Sequence, residues 1–194
     1  SALTCLPARG TTPYMSDDGQ QYLNDLDKRL WSAADRLRAN VNPGDYMHVV
    51  LGLVFLKYIS DAFKERRDEL EKAFFDPAND YYLGDDSGMV DPEMLEQELE
   101  ARDYYTEKNV FWVPALARWD FIKDNAKVAA GSLLVVRNGR TFQYEFKGIG
   151  RLLDDALDAV EKENPRLKNV LDKDYARKRV DEALPGLIDL LSTV

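Results

Sequence analysis

Apolar positions along this chain recur mostly at helical spacing. Leu23, Leu26, Leu30, Ala33, Ala34 and Leu37 stand three or four apart behind the N-cap candidates Ser16, Asp17 and Asp18, and predict a helix ending near Asn40. Asn42 followed by Pro43 is a second start signal, an N-cap and an N1 proline, and opens a helix expected to run to about Phe74. Its first half, Tyr46 to Ile59, is apolar nearly all round and belongs at the centre of the core. Its second half, Lys64 to Lys72, is charged and is expected to be solvated. Gly52 inside it costs about 1 kcal/mol against alanine, which predicts another helix crossing closely there. Lys57 precedes Asp61 by four, the spacing of an intrahelical ion pair.

The pattern then changes. Phe75 to Asp91 is rich in Asp, Asn, Gly and Pro and reads as a long acidic loop, followed by a short helix over Pro92 to Arg102. Asn109 to Pro114 is expected to be extended, because Pro114 biases Val113 away from helix and Phe111-Trp112 favours β or polyproline geometry. Trp112 and Trp119 read as core anchors rather than platforms for stacking bases. Leu133 to Val136 and Thr141 to Phe146 flank Asn138-Gly139, the strongest short hairpin signal, so a hairpin is expected over about 132–147. A helix from Arg151 to Glu163 follows and stops before Pro165. The predicted fold class is mainly α, a helical domain with one small β-hairpin.

Composition narrows the chemistry. A chain of 194 residues can build one compact domain or two small lobes. Cys5 and His48 are the sole residues of their types. Disulfides, Cys/His zinc sites and a serine-histidine triad therefore have almost nothing to be built from, and a reduced, cytoplasmic setting is expected. No apolar run reaches the roughly 18 residues of a membrane span. Residues 1–15 lack the order of a signal peptide and are expected to be a disordered leader or a remnant of processing. The net charge of -9 is one local segment, since residues 76–109 hold 11 Asp/Glu against 2 Lys/Arg while the rest of the chain is balanced. A nucleic-acid partner stays open, because phosphates respond to local basic surface within roughly 8 Å at physiological salt.

Three stretches carry a resemblance: LWSAADRLRANVNPGDYMHVVLGLVFLKYISDAFKERRDEL (Leu30 to Leu70), YYTEKNVFWVPALARW (Tyr104 to Trp119), and Asp154 to Val194 with AVEKENPRLKNVLDKDYAR. In this order they closely resemble the N-terminal domain of the modification (M, HsdM-type) subunit of type I restriction-modification enzymes, over most of the chain. The hairpin looks like an insertion in that framework. The resemblance implies a parent protein that transfers a methyl group from S-adenosylmethionine to adenine N6 in double-stranded DNA. It further implies an assembly of two M subunits with one specificity (S) subunit, joined by a restriction (R) subunit for cleavage. The helical domain would occupy 16–194, with the catalytic Rossmann-like domain expected after 194. The apolar face of Leu184, Leu187, Ile188, Leu190, Leu191 and Val194, without a closing cap, fits a chain cut from a longer protein.

Two motifs resemble methyltransferase chemistry and are rejected on residue grounds. Gly148-Ile149-Gly150 follows a strand and precedes a helix, but Leu153 replaces the third glycine and no second βα unit follows. Asn164-Pro165-Arg166 lacks the second proline and the aromatic needed to hold a flipped base. No catalytic, cofactor-binding or metal-ligating residue is therefore assigned in this stretch. The candidate DNA-facing residues are Lys162, Arg166, Lys168, Lys173, Arg177, Lys178 and Arg179, with a second cluster of Arg36, Arg38, Lys64, Arg66 and Arg67 if the first two helices pack antiparallel. An ordinary solvated face is the plain alternative for such charge runs. The competing function is a protein-interaction module that docks the specificity subunit or the catalytic domain without touching DNA.

Overall fold

The computed structural model describes residues 43–138, 140–177 and 180–193, together with Lys28 and Asp35. The helix predicted before Asn40 lies outside the described residues. The next one is present as α1, Pro43–Phe75, 33 residues and roughly 50 Å at 1.5 Å per residue. Val49, Leu53, Leu56, Ile59, Phe63, Leu70 and Phe74 recur along it at helical spacing and are buried, so α1 is the spine of the core.

Short elements pack against that spine in chain order: α2 (Pro92–Leu99), α3 (Asp103–Thr106), a 3-10 turn (Ala115–Ala117) and α4 (Trp119–Asn125). The hairpin of β1 (Leu133–Asn138) and β2 (Arg140–Glu145) follows, then α5 (Ile149–Glu163), a second 3-10 turn (Pro165–Leu167) and α6 (Leu184–Leu191). Mainly helical with one antiparallel hairpin is thus the observed class.

Residues 76–91 form the expected loop, and the expected short helix follows it. Asp91 caps α2 by accepting from the Glu93 backbone N–H at 3.0 Å, which starts a helix in spite of the surrounding charge. That helix ends at Leu99 rather than Arg102, and α3 follows where none was expected. The reason is Tyr105, which is fully buried and stacks on Phe63 with ring centres 4.4 Å apart. Trp112 meets both rings edge-on, at 5.3 Å from Phe63 and 5.1 Å from Tyr105. Each such pair contributes roughly 0.5–1.5 kcal/mol beyond area burial, enough to fold a charged segment onto α1.

Trp112 and Trp119 are both buried in the core. Trp119 is held at both ends: its backbone N–H donates to Ser60 Oγ at 2.6 Å and its indole N–H to Ser192 Oγ at 2.8 Å. Ser192 in turn donates to the Ile188 carbonyl. The apolar face of the last helix, Leu184, Leu187, Ile188 and Leu191, is buried within this domain.

Gly52 answers to a side chain, not to a crossing helix. A Cβ there would lie 2.1 Å from the Tyr175 hydroxyl, which donates to the Val49 carbonyl at 2.8 Å. The glycine opens room for a buried tyrosine to reach the backbone of α1. Lys57 and Asp61 form the ion pair their spacing predicts.

In the hairpin, Leu134 pairs with Tyr144 and Val136 with Phe142, while Val135 pairs with Gln143. Leu134 and Val136 are buried, while Leu133 and Val135 between them are exposed, so a shift of β1 by one residue would bring its buried pair to solvent. Burial of one face selects the observed pairing.

Candidate nucleic-acid interface

Between α5 and α6 lies a strap, residues 164–183, which apart from its 3-10 turn is irregular among the described residues; most of the first candidate cluster of basic residues falls in it. Irregular backbone is held here by side chains, mostly the carboxylates of α5. Asp154, Asp158 and Glu161 stand at i, i+4 and i+7, hence on one face of that helix. Asp154, 9% exposed, accepts from the backbone N–H groups of Tyr175 at 2.8 Å and Ala176 at 3.0 Å. Glu161 accepts from the backbone N–H of Asn169 at 3.0 Å, where the chain takes a positive φ of 60°. Lys173 lies 3.2 Å from Asp158 and 3.1 Å from Glu161.

These contacts set the protonation of the anchors. The Lys162 ammonium, followed by that of Lys173, holds the Asp158 carboxyl below its ordinary value. The Asn169 N–H and then Lys173 do the same for Glu161, and Glu161 raises Lys173. Both carboxylates stay charged at neutral pH.

The strap is pinned at its two ends as well. The Asn164 side chain accepts from the Trp112 N–H at 3.0 Å and donates to the carbonyls of Trp112 at 2.9 Å and Val160 at 2.7 Å. Asp181 accepts from the Gly150 N–H at 2.8 Å. The sequence pointed to none of Asp154, Asp158, Glu161 or Tyr175 as supports. The signal was the carboxylate stripe on an amphipathic helix, which periodicity alone does not connect to a loop.

The candidate cations divide sharply. Arg166, Lys168 and Arg177 are exposed; among the described residues no carboxylate lies within ion-pair distance of Arg166 or Lys168, and Arg177 has a loose contact of 3.7 Å to Asp174. Lys162 pairs with Asp158 at 2.6 Å and Lys173 is neutralised as above. Lys178, Arg179, Arg36 and Arg38 lie outside the described residues. On α1, Lys64 is exposed and paired with Asp120 at 2.8 Å.

Arg66 and Arg67 are not a solvated surface. Arg66 is 8% exposed, donating through Nε to the Tyr104 carbonyl and through Nη1 to Glu69. Arg67 donates to the Leu99 carbonyl at 3.0 Å and to Glu100 at 2.7 Å. Arg118 shares Glu100 at 2.8 Å and lies over the Phe63 ring at 4.9 Å. These positions in the charged second half of α1 are covered because α2 and α3 fold across them.

The glycine turn and the asparagine loop do not fit a methyl donor or a target base. A Cβ at Gly150 would meet the Tyr175 carbonyl oxygen at 3.1 Å and the Ala176 nitrogen at 3.2 Å, so the strap backbone occupies the approach a cofactor would need. Asn164 has its amide committed to Trp112 and Val160, which leaves it closing the core.

Comparison with known proteins bears on this surface. The HsdM N-terminal domain family matches residues 26–191. The chain is 30% identical over 168 residues to the type I restriction enzyme MjaIX methylase subunit of Methanocaldococcus jannaschii, an alignment covering 86% of this chain and 26% of that protein. It is 35% identical over 80 residues to the type I restriction enzyme HindI methylase subunit of Haemophilus influenzae, covering 41% of this chain and 17% of that protein. The chain thus spans about a quarter of the length of the first of these relatives.

Proposed function

Because the chain belongs to the HsdM N-terminal domain family of type I methylase subunits, we propose that it clamps double-stranded DNA and supports assembly for a subunit whose remaining length performs the chemistry. That chemistry, on this reading, is transfer of a methyl group from S-adenosylmethionine to adenine N6 in the cytoplasm. The partners are a second M subunit, one specificity subunit and, for cleavage, a restriction subunit. The observation that carries the clamp is the strap: three exposed cations, Arg166, Lys168 and Arg177, on backbone immobilised by Asp154, Glu161 and Asn164.

Cations held in this way contact phosphates with little ordering cost. The contacts position the duplex and carry no sequence information, so base readout falls to another subunit. Each phosphate neutralised contributes a slope of about -0.9 in log affinity against log salt. Binding of the 194-residue chain to a short duplex over a salt series tests this directly. Charge reversal by Arg166→Glu, Lys168→Glu and Arg177→Glu should flatten the slope by about 3. An unchanged slope in the triple variant would sink the clamp.

A second reading is favoured by the acidic stretch. Asp76, Asp80, Asp85, Asp86, Asp91 and Glu93 are exposed beside Met89 at 72% and Met94 at 46% exposure. Carboxylates interleaved with exposed methionines suit a basic protein surface, and on this reading the domain docks a partner subunit without touching DNA. Loss of complex assembly with DNA affinity intact, in a variant neutralised at Asp85, Asp86 and Glu93, would favour it.

A further inference from the structure

The hairpin turns one of its faces away from the domain. Side chains alternate across a strand, so Leu133, Val135 and Arg137 of β1 share a face with the residues that pair with them, Glu145, Gln143 and Thr141. All six are exposed, Leu133 at 62% and Val135 at 54%. The opposite face is the anchored one. Leu134 and Val136 are buried there, and the Tyr144 hydroxyl donates to Asp155 Oδ2 of α5 at 2.8 Å. The ribbon is thus fixed to the body from one side, and its other side is open among the described residues.

We infer that this open face enters the major groove of a DNA duplex and touches base edges. Three observations single out that partner. The first is size: two strands about 4.8 Å apart fit a groove about 12 Å wide, which admits such a ribbon. The second is charge. Residues 125–144 contain no Asp or Glu, the longest such run in a chain that holds 35 of them, and they carry Lys127, Arg137 and Arg140. Glu145, the one carboxylate of the face, sits at its root with Lys147 Nζ 3.5 Å away. A polyanion meets no uncompensated acid on the rest of it. The third is chemistry. Arg137 stands beside Thr141, and Val135 beside Gln143; among the described residues no carboxylate lies within ion-pair distance of Arg137. Arginine donates to guanine O6 and N7, the glutamine amide matches adenine N6 and N7, and the methyls of threonine and valine suit that of thymine. An apolar protein surface would bury Arg137 and Gln143 without partners, at a cost that base edges avoid.

This groove contact deepens the clamp and rests on that reading. Asp155 holds the hairpin through Tyr144, and its neighbour Asp154 holds the strap through the backbone N–H groups of Tyr175 and Ala176. Consecutive residues of α5, with Cα atoms about 3.8 Å apart, therefore anchor both surfaces. Arg177 directly follows Ala176, so the strap offers a phosphate contact next to the anchor of the ribbon. Strap cations take the backbone and the ribbon takes base edges, in addition to the readout made by another subunit.

A duplex whose cytosines carry glucosylated 5-hydroxymethyl groups tests this, because the sugar fills the major groove and leaves the phosphates bare. The 194-residue chain should bind it at least about tenfold more weakly than the plain duplex of the same sequence at the same salt. Arg137→Ala with Gln143→Ala should bind the two duplexes alike; both positions are exposed, so the buried face of the hairpin stays intact. Equal affinity of the parent chain for both duplexes, with its salt slope retained, would overturn the groove contact and leave the clamp standing. Absence of binding to either duplex would overturn both. A double variant that still discriminates would place the groove contact on another element, again against the inference. As an independent measure, Gln143→Cys in a Cys5→Ser background should form a disulfide with a thiol tethered to cytosine N4 in the major groove, and none with one tethered to guanine N2 in the minor groove. Chain-to-chain disulfides in place of the DNA adduct would make the face a contact between copies and refute the proposal.

Discussion

Arg66-Arg67 and Pro165-Arg166-Leu167-Lys168 with Arg177 are alike as sequence, short basic runs beside helices with acids nearby, yet the fold treats them oppositely. The first pair is covered by α2 and α3 and its guanidiniums end on backbone carbonyls, Glu69, Glu96 and Glu100. The second set stands in solvent on backbone that other residues hold in place. In the first region charge stabilises the fold; in the second the fold presents charge. Local charge density says nothing about which applies, because what decides it is the segment that crosses over.

The contrast can be broken most directly at Glu100, whose side chain is 10% exposed and serves both Arg67 and Arg118. Glu100→Ala leaves two partly buried guanidiniums without their shared carboxylate and should destabilise the domain by about 3 kcal/mol in denaturant titration. A change below about 0.5 kcal/mol, the range of ordinary surface substitutions, would mean that this cluster is no more structural than the strap.

Next in size is the joint between strap and spine. Gly52→Ala gains about 1 kcal/mol of helix propensity. Its Cβ nevertheless invades the Tyr175 hydroxyl in a packed site, so the net result should be a loss of about 1–2 kcal/mol. Adding Tyr175→Phe removes the colliding oxygen, and the double variant should be more stable than the sum of the two singles. Additivity would show that the hydroxyl is not what Gly52 accommodates.

A smaller effect is expected from acid. Asp158 and Glu161 have folded values below their ordinary ones. Their stabilisation is therefore complete above the unfolded carboxylate range of about 4, and is lost as pH falls through the depressed folded values. Melting temperatures followed from pH 6 down to pH 3 should fall less steeply in Lys173→Met than in the parent chain, since one source of the depression is gone. Parallel curves would remove Lys173 from the anchoring of the strap.

Smallest of all should be the effect on stability of reversing Arg166, Lys168 or Arg177 one at a time, each within about 0.5 kcal/mol by thermal melting. A loss above about 2 kcal/mol at any of them would place that residue with Arg66 and Arg67, on the structural side of the comparison.

Much of the fold was legible because its signals are local. The start of α1 at Pro43, the end of α5 before Pro165 and the hairpin around Asn138 follow from proline geometry and turn chemistry within a few residues. The buried tryptophans follow from their size. What misled was any inference about what a residue faces. Gly52 reads as a close crossing in sequence, and only the structure shows a tyrosine from 123 positions away filling it. The α3 helix escaped notice because its stability comes from Tyr105 stacking on Phe63 rather than from propensity in DYYT. The strap's supports escaped for the same reason, since a carboxylate at helical spacing does not announce a loop 21 residues away.

By itself, then, the sequence determined the helical class, the principal element boundaries and, through three long motifs, the family. Those depend on short-range sterics, on periodicity and on residue identity, all present in one dimension. The tertiary structure alone decided which arginines are spent inside, which cations reach solvent, and that the last apolar face is covered within the domain. Each of these turns on burial, and burial is set by segments distant in sequence meeting in space.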